Sequence, residues 1–96
     1  MRKDLSPSQQ AVQAIHAALE ASKQLSLSWN DHPHLALCGV NSLLQLQQAA
    51  AKLSDAGIQF TLWHEPDRGN EPTALATTIL TGEVRRYLRK FQLLSL

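Results

Sequence analysis

Apolar residues recur every three or four positions early in the chain, a spacing that predicts an amphipathic helix over residues 7–24. Ser6 is a favoured N-cap residue, and Gln9 stands three residues later in the capping-box position. We expect the apolar face of this helix to be buried: Ala11, Val12, Ile15, Ala18 and Leu19.

The rest of the chain alternates between strand and helix patterns. Residues 35–40 form a short, continuously apolar run, which is typical of a strand buried on both faces. Residues 41–58 predict a second helix with a Ser42/Gln45 capping box at its start and a stop at Gly57. Residues 58–65 then alternate apolar and polar side chains as a strand does. The β-branched stretch 73–80 predicts another strand, and 82–91 predicts an amphipathic terminal helix.

These elements follow one another as helix, strand, helix, strand, strand, helix. A strand–helix–strand unit followed by a hairpin-like pair predicts an α/β fold, with one small mixed β-sheet flanked by helices. The length of 96 residues predicts a single domain over residues 1–96. A domain this small buries a modest share of its surface, so we expect a homodimer.

Composition narrows the class of protein. Apolar residues make up 44% of the chain and charged residues 18%, which argues against intrinsic disorder. The single cysteine, Cys38, cannot form an internal disulfide and suits a reducing compartment. The sequence has neither a leader pattern nor an apolar run of membrane-spanning length, so we expect a cytoplasmic protein without a membrane partner.

A narrow polar stripe runs along the first predicted helix. At 100° per residue, Gln9, Gln13, His16 and Glu20 fall within a sector of about 60°. The capping box explains Gln9, whereas Gln13 and His16 fit either a hydrogen-bonded packed interface or a functional site. An imidazole changes its charge near neutral pH, which is useful in catalysis.

Asp67 follows a predicted strand, in the loop PDRG. Aspartate and glycine are common turn residues, and a turn alone would explain this loop. A carboxylate in a loop after a strand also lies where α/β folds place ligand sites. If the fold brings Asp67 opposite His16, the pair could orient or activate a water molecule against an ester carbonyl.

The histidines and the cysteine do not predict a metal site. His32 and His34 flank a proline at a spacing that matches zinc sites poorly, and Cys38 and His64 do not complete a ligand set. Cys38 lies in an apolar run and is best explained as a small buried hydrophobic residue. We therefore expect neither a metal nor a cofactor.

Basic side chains concentrate near the two ends of the chain. They form either solvated faces or a surface that follows the phosphates of a nucleic acid. The residues that we assign to phosphate contacts are Arg2, Lys3, Arg68, Arg85, Arg86 and Arg89.

Three stretches together resemble the type-2 peptidyl-tRNA hydrolases, in particular their compact bacterial and phage-like members. Residues 2–17, RKDLSPSQQAVQAIHA, resemble the family's Arg-x-Asp-Leu and Ala-x-Gln-x-x-His-Ala motifs. Asp67 and Gly69 match its Asp-x-Gly loop, and residues 73–94 resemble its final strand and helix.

The resemblance implies a mixed four-stranded sheet flanked by helices, usually in a dimer, and hydrolysis of the ester that joins a peptide to tRNA. On this basis His16, Gln13 and Asp67 would hold the attacking water, and Gln9 could at most position a group. No cofactor is implied.

The chain departs from the family pattern at three points. Gln9 stands where better-known members carry a catalytic lysine, and the loop after Asp67 is too short for a site threonine to have a clear counterpart. The family's strand before the Arg-x-Asp-Leu motif has no counterpart, so an upstream segment or another chain supplies it, or the fold tolerates its loss. Two alternatives therefore stay open, a tRNA-binding module without catalytic activity and a dimeric adaptor.

Overall fold

The computed structural model describes residues 1–25, 37–78, 80 and 92–93. These residues form a mixed α/β fold, which confirms the predicted class. In chain order the elements are helix α1 (Pro7–Gln24), strand β1 (Cys38–Gly39), helix α2 (Leu43–Asp55), strand β2 (Phe60–Glu65), a 3₁₀ turn (Pro66–Arg68), strand β3 (Glu71–Thr77) and strand β4 (Gln92–Leu93).

The start of α1 is determined locally. The Ser6 hydroxyl accepts a hydrogen bond from the backbone N–H of Gln9 at 3.3 Å, and the Gln9 side-chain oxygen accepts one from the backbone N–H of Ser6 at 3.4 Å. This reciprocal capping box confirms the structural interpretation of Gln9, because it satisfies two donors that the helix itself leaves unpaired. The predicted bounds of the helix, 7–24, agree with the structure.

Helix α2 begins after Ser42 and ends before Gly57, as predicted. Ser42 caps it by accepting a hydrogen bond from the backbone N–H of Gln45 at 3.2 Å. Beyond the helix, Gly57 has a φ of 73°, a left-handed conformation that glycine adopts without strain. The backbone N–H of Ile58 then donates to the carbonyl of Leu53 at 3.0 Å, which closes the end of the helix.

The strands form two antiparallel pairs. Strands β2 and β3 make a hairpin in which Leu62 lies opposite Leu75, and β1 pairs with β4, which the sequence pattern did not predict. Residues 1–3 lie between the two pairs, since the backbone N–H of Arg2 donates to Thr73 at 3.2 Å and Arg2 also forms a parallel bridge with Val40. Among the described residues, parallel pairing is limited to this one bridge, and the strands themselves pair antiparallel. The predicted terminal helix, 82–91, lies outside the described residues.

An irregularity in the hairpin positions two side chains toward the interior. Trp63 pairs with Ala74 but His64 pairs with Pro72, which leaves Thr73 without a partner on β2. A bulge of this kind turns the strand locally and can redirect a side chain. Both Thr73 and Ala74 are fully buried as a result.

The orientation of α1 differs from the prediction. The apolar residues expected to be buried are largely exposed, with exposed fractions of 49% for Val12, 58% for Ile15 and 63% for Leu19. The helix instead buries its polar and small residues, which are Gln10, Gln13, Ala17 and Ala21. The physical reason is the polarity of the hairpin beneath it, because buried groups on the hairpin need hydrogen-bond partners.

The apolar core lies mainly under α2. Leu46 and Leu53 are buried almost completely, with Ala49, Ala50 and Ile58 beside them. A second small cluster under α1 joins Met1, Ala17 and Ala74, against which Trp63 packs. Within the described residues, no helix is both long and apolar enough to span a membrane.

Candidate functional site

Glu65 is a buried carboxylate at the end of β2, with an exposed fraction of 8%. Its side chain accepts hydrogen bonds from the indole N–H of Trp63 at 3.1 Å, from the side chain of Gln13, and from the backbone N–H of Asp67 at 3.4 Å. The Trp63 hydrogen bond, more than any other contact, holds the pKa of Glu65 below its usual value. Glu65 is therefore ionised at neutral pH and held by donors from three directions.

Gln13 connects Glu65 to the bulge of β3. The hydroxyl of Thr73 donates to the side-chain oxygen of Gln13 at 2.7 Å. The amide nitrogen of Gln13 is then left to donate to Glu65. Both Gln13 and Thr73 are buried, so each hydrogen bond satisfies a polar group that water does not reach.

His16 lies one turn further along the same face of α1. Its imidazole stacks on the indole of Trp63, with 4.7 Å between the ring centroids and 12° between the ring planes. His16 also contributes electrostatically to the low pKa of Glu65. Because Trp63 donates to Glu65, the imidazole, the indole and the carboxylate form one connected group.

A cavity of about 110 Å³ opens beside this group. Its lining residues come from the N-terminal segment, the start of α1, the end of β2 and the 3₁₀ turn: Leu5, Gln9, Gln13, Glu65, Asp67 and Arg68. The cavity can hold several water molecules or one small polar group, and carboxylates, amides and one guanidinium surround it.

The structure brings four of the ten predicted site residues together around one cavity. These are Gln9, Gln13, Asp67 and Arg68, whereas His16 does not line the cavity and is linked to it through Trp63, which donates to Glu65. The predicted pairing of His16 with Asp67 is indirect. Glu65 connects the two, since it accepts from the backbone of Asp67 and from the indole on which His16 stacks.

Arg2 takes a different position from the one expected of a phosphate-binding residue. Its side chain is only 6% exposed and forms ion pairs with Asp4 and Glu71. The guanidinium Nε donates to Asp4 at 2.9 Å, and these contacts lower the pKa of the Asp4 carboxyl. Bidentate pairing of this kind uses the donors of arginine and favours a structural role for Arg2 over the predicted phosphate contact.

Of the other basic residues predicted to contact phosphates, the structure describes two. Lys3 is half-buried, and its backbone N–H donates to Val40 at 2.6 Å. Arg68 is exposed and lies 4.0 Å from Glu71. Arg85, Arg86 and Arg89 lie outside the described residues.

The sequence interpretation missed Trp63, Glu65 and Thr73. The alternation in 58–65 assigned Phe60 and Leu62 to the buried face, yet both are half-buried, and Glu65 on the other face is buried. The narrow polar stripe on α1 was the available signal, because inward-facing glutamine and histidine side chains need polar partners opposite them.

In the described part of the chain, no group of three histidine, cysteine, aspartate or glutamate side chains lies close enough together to hold a metal ion. His32 and His34 lie outside it, and His64 is exposed on β2. Cys38 is half-buried, and burial raises the pKa of its thiol. A raised thiol pKa opposes nucleophilic chemistry at neutral pH, in agreement with a packing role.

Comparison of the chain with family models, curated proteins and solved structures finds no match.

Proposed function

We propose that this protein is a type-2 peptidyl-tRNA hydrolase-like enzyme that hydrolyses the ester between a peptide, or an aminoacyl group, and tRNA. The observation that carries the proposal is the cavity in which Gln13, Glu65 and Asp67 meet beside the stacked His16. Ester hydrolysis needs a positioned water, a group that accepts its proton and a donor for the carbonyl oxygen. These residue types can supply all three.

The roles follow from the chemistry of each group. Asp67 is exposed at the cavity and polarises the attacking water, while His16 orients or transfers a proton. Gln13 holds the substrate or the imidazole by hydrogen bonds. Gln9 is engaged in the capping box, and an amide cannot replace the charge of a lysine ammonium.

The proposed tRNA surface consists of Lys3 and Arg68 together with Arg85, Arg86 and Arg89. Support comes from Arg68, which lines the cavity and carries the positive charge among the lining residues that the structure describes. Phosphate contacts release counterions, so binding should weaken steeply as salt is raised. The chain has a single cysteine and so no internal disulfide, which supports a cytoplasmic location for this activity.

Release of peptide from purified peptidyl-tRNA tests the enzymatic proposal. We expect Asp67→Ala and His16→Gln to lower the rate of release at least tenfold, since each removes a group from the proposed chemistry. Asp55→Ala is the matched control, because Asp55 is an exposed aspartate at the end of α2, away from the cavity lining. Equal release by wild type and Asp67→Ala would exclude the proposed mechanism.

A second candidate function is tRNA binding without hydrolysis. It is favoured by the cavity lining, which contains amides and carboxylates but no ammonium group. A gel shift with tRNA at low and high salt, run beside the release assay, separates the two functions. Salt-sensitive binding without release supports the binding module, whereas no binding at low salt excludes both.

We also propose a homodimer formed through the exposed face of α1. Val12, Ile15 and Leu19 make this face apolar, and the charged side chains of α1 are the half-buried Glu20 and the exposed Lys23 near its end. Two copies related by a twofold axis would pair antiparallel helices, placing Val12 near Leu19 of the partner without like-charge repulsion. Light scattering tests this proposal, and a strict monomer would exclude it.

A further inference from the structure

We propose that Trp63 is a positioning residue that fixes the plane and location of the His16 imidazole relative to Glu65, which lines the cavity. Its predicted effect on catalysis rests on the proposed hydrolase function. The positioning itself can be measured without a substrate.

The indole of Trp63 is held at both its edge and its face. Its N–H donates to Glu65 at 3.1 Å, and the ring packs against the small cluster of Met1, Ala17 and Ala74. A hydrogen bond at one edge and packing against buried residues leave the ring little freedom to rotate.

Glu65 is in turn a fixed acceptor. Gln13 and the backbone N–H of Asp67 also donate to its carboxylate, and Thr73 holds Gln13 from the other side. Each member of this network has a partner that limits its movement. The indole therefore gains its orientation from β2, β3 and α1 together.

His16 is the member that depends on Trp63. Its imidazole stacks nearly parallel on the indole, with 12° between the two ring planes. A half-buried histidine without such a partner samples several rotamers. Stacking selects one of them and holds the ring on the indole that donates to Glu65.

Two substitutions separate the stack from the hydrogen bond. Trp63→Phe keeps an aromatic face for His16 but loses the donor to Glu65, whereas Trp63→Leu loses both. Phe60→Leu is the matched control, because Phe60 is a half-buried aromatic residue three positions earlier on the same strand.

Proton NMR of the histidine rings provides the substrate-free measurement. Ring current from a parallel indole shifts the His16 ring protons upfield, while the exposed His64 on β2 serves as an internal reference. The variants His16→Gln and His64→Gln assign the two resonances. We expect the upfield shift in wild type, in Trp63→Phe at reduced size and in Phe60→Leu, and its loss in Trp63→Leu.

Kinetics on peptidyl-tRNA give the catalytic measurement. Trp63→Leu should lower kcat about 10-fold to 100-fold with little change in KM, because a misplaced catalytic group affects the transition state more than binding. Trp63→Phe should recover most of kcat, and Phe60→Leu should retain it.

The outcomes distinguish this proposal from the proposed function. Absence of the upfield shift in wild type, or its persistence in Trp63→Leu, overturns the positioning role. A kcat for Trp63→Leu equal to that of Phe60→Leu overturns it as well. If wild type releases no peptide, the hydrolase function fails, and the NMR shifts still decide whether Trp63 positions His16.

Discussion

Replacement of Thr73 by valine tests the polar network under α1 at its best-defined hydrogen bond. The hydroxyl of Thr73 donates to Gln13 at 2.7 Å, and both side chains are buried. Valine has nearly the same shape as threonine, so the substitution removes the donor with little change in packing. The side-chain oxygen of Gln13 is then left buried without that partner.

An unpaired buried acceptor costs about 1–3 kcal/mol, which is the loss in free energy of unfolding that we expect for Thr73→Val. In a domain of this size each kcal/mol lowers Tm by about 4–8 °C. Urea unfolding followed by circular dichroism measures the change, and an unchanged m-value shows that the two-state transition is preserved.

Two controls make the result specific. Thr77→Val introduces the same chemical change at a half-buried site on the same strand and should cost less than about 0.5 kcal/mol. In a Gln13→Leu background, Thr73→Val should lose most of its effect, because the acceptor is already gone. A cost below about 0.5 kcal/mol in the wild-type background, or an equal cost in both backgrounds, would refute the network as described.

Three further predictions concern pH, the helix cap and assembly. Folding lowers the pKa of Glu65, so the unfolded state binds its proton more readily. The resulting contribution to the free energy of unfolding is present above the usual glutamate pKa of about 4.3 and is lost as the pH falls through the pKa of the folded state. Urea unfolding at several acidic pH values should therefore show a weaker dependence of stability on pH in Glu65→Gln than in wild type. Ser6→Ala should cost about 0.5–2 kcal/mol in thermal unfolding through loss of the α1 cap; an unchanged Tm would contradict the capping role. Ile15→Glu should convert the proposed dimer to monomer in sedimentation with little effect on the folded subunit, whereas a variant that stays dimeric would exclude this face.

The helix termini could be predicted because their causes are local. Ser6 and Gln9 form a capping box within four residues of sequence, and Gly57 adopts the conformation that ends a helix without strain. Strand β2 also follows from a short alternating pattern. The range predicted for the next strand, 73–80, starts two residues late, since Glu71 and Pro72 carry no strand signal of their own.

The face that α1 buries could not be predicted from its periodicity. Hydrophobic spacing identifies two possible faces, and it selects the apolar one only when the opposing surface is apolar as well. Here the hairpin presents Thr73, Trp63 and Glu65, which need donors, acceptors and a ring partner. Gln13 and His16 supply them, so the helix turns these two residues of its polar stripe toward the hairpin.

The amino-acid sequence by itself determined helices α1 and α2, strands β1 to β3, their order and the polar stripe that marked α1 as unusual, because caps, turns and periodicity act over a few residues. Only the tertiary structure decided that Gln13 of this stripe is buried, that Glu65 accepts from it and that Arg2 is an internal ion-pair partner. Each of these depends on groups far apart in the chain, such as Gln13 and Thr73, whose hydrogen bond exists only after the hairpin has packed against the helix.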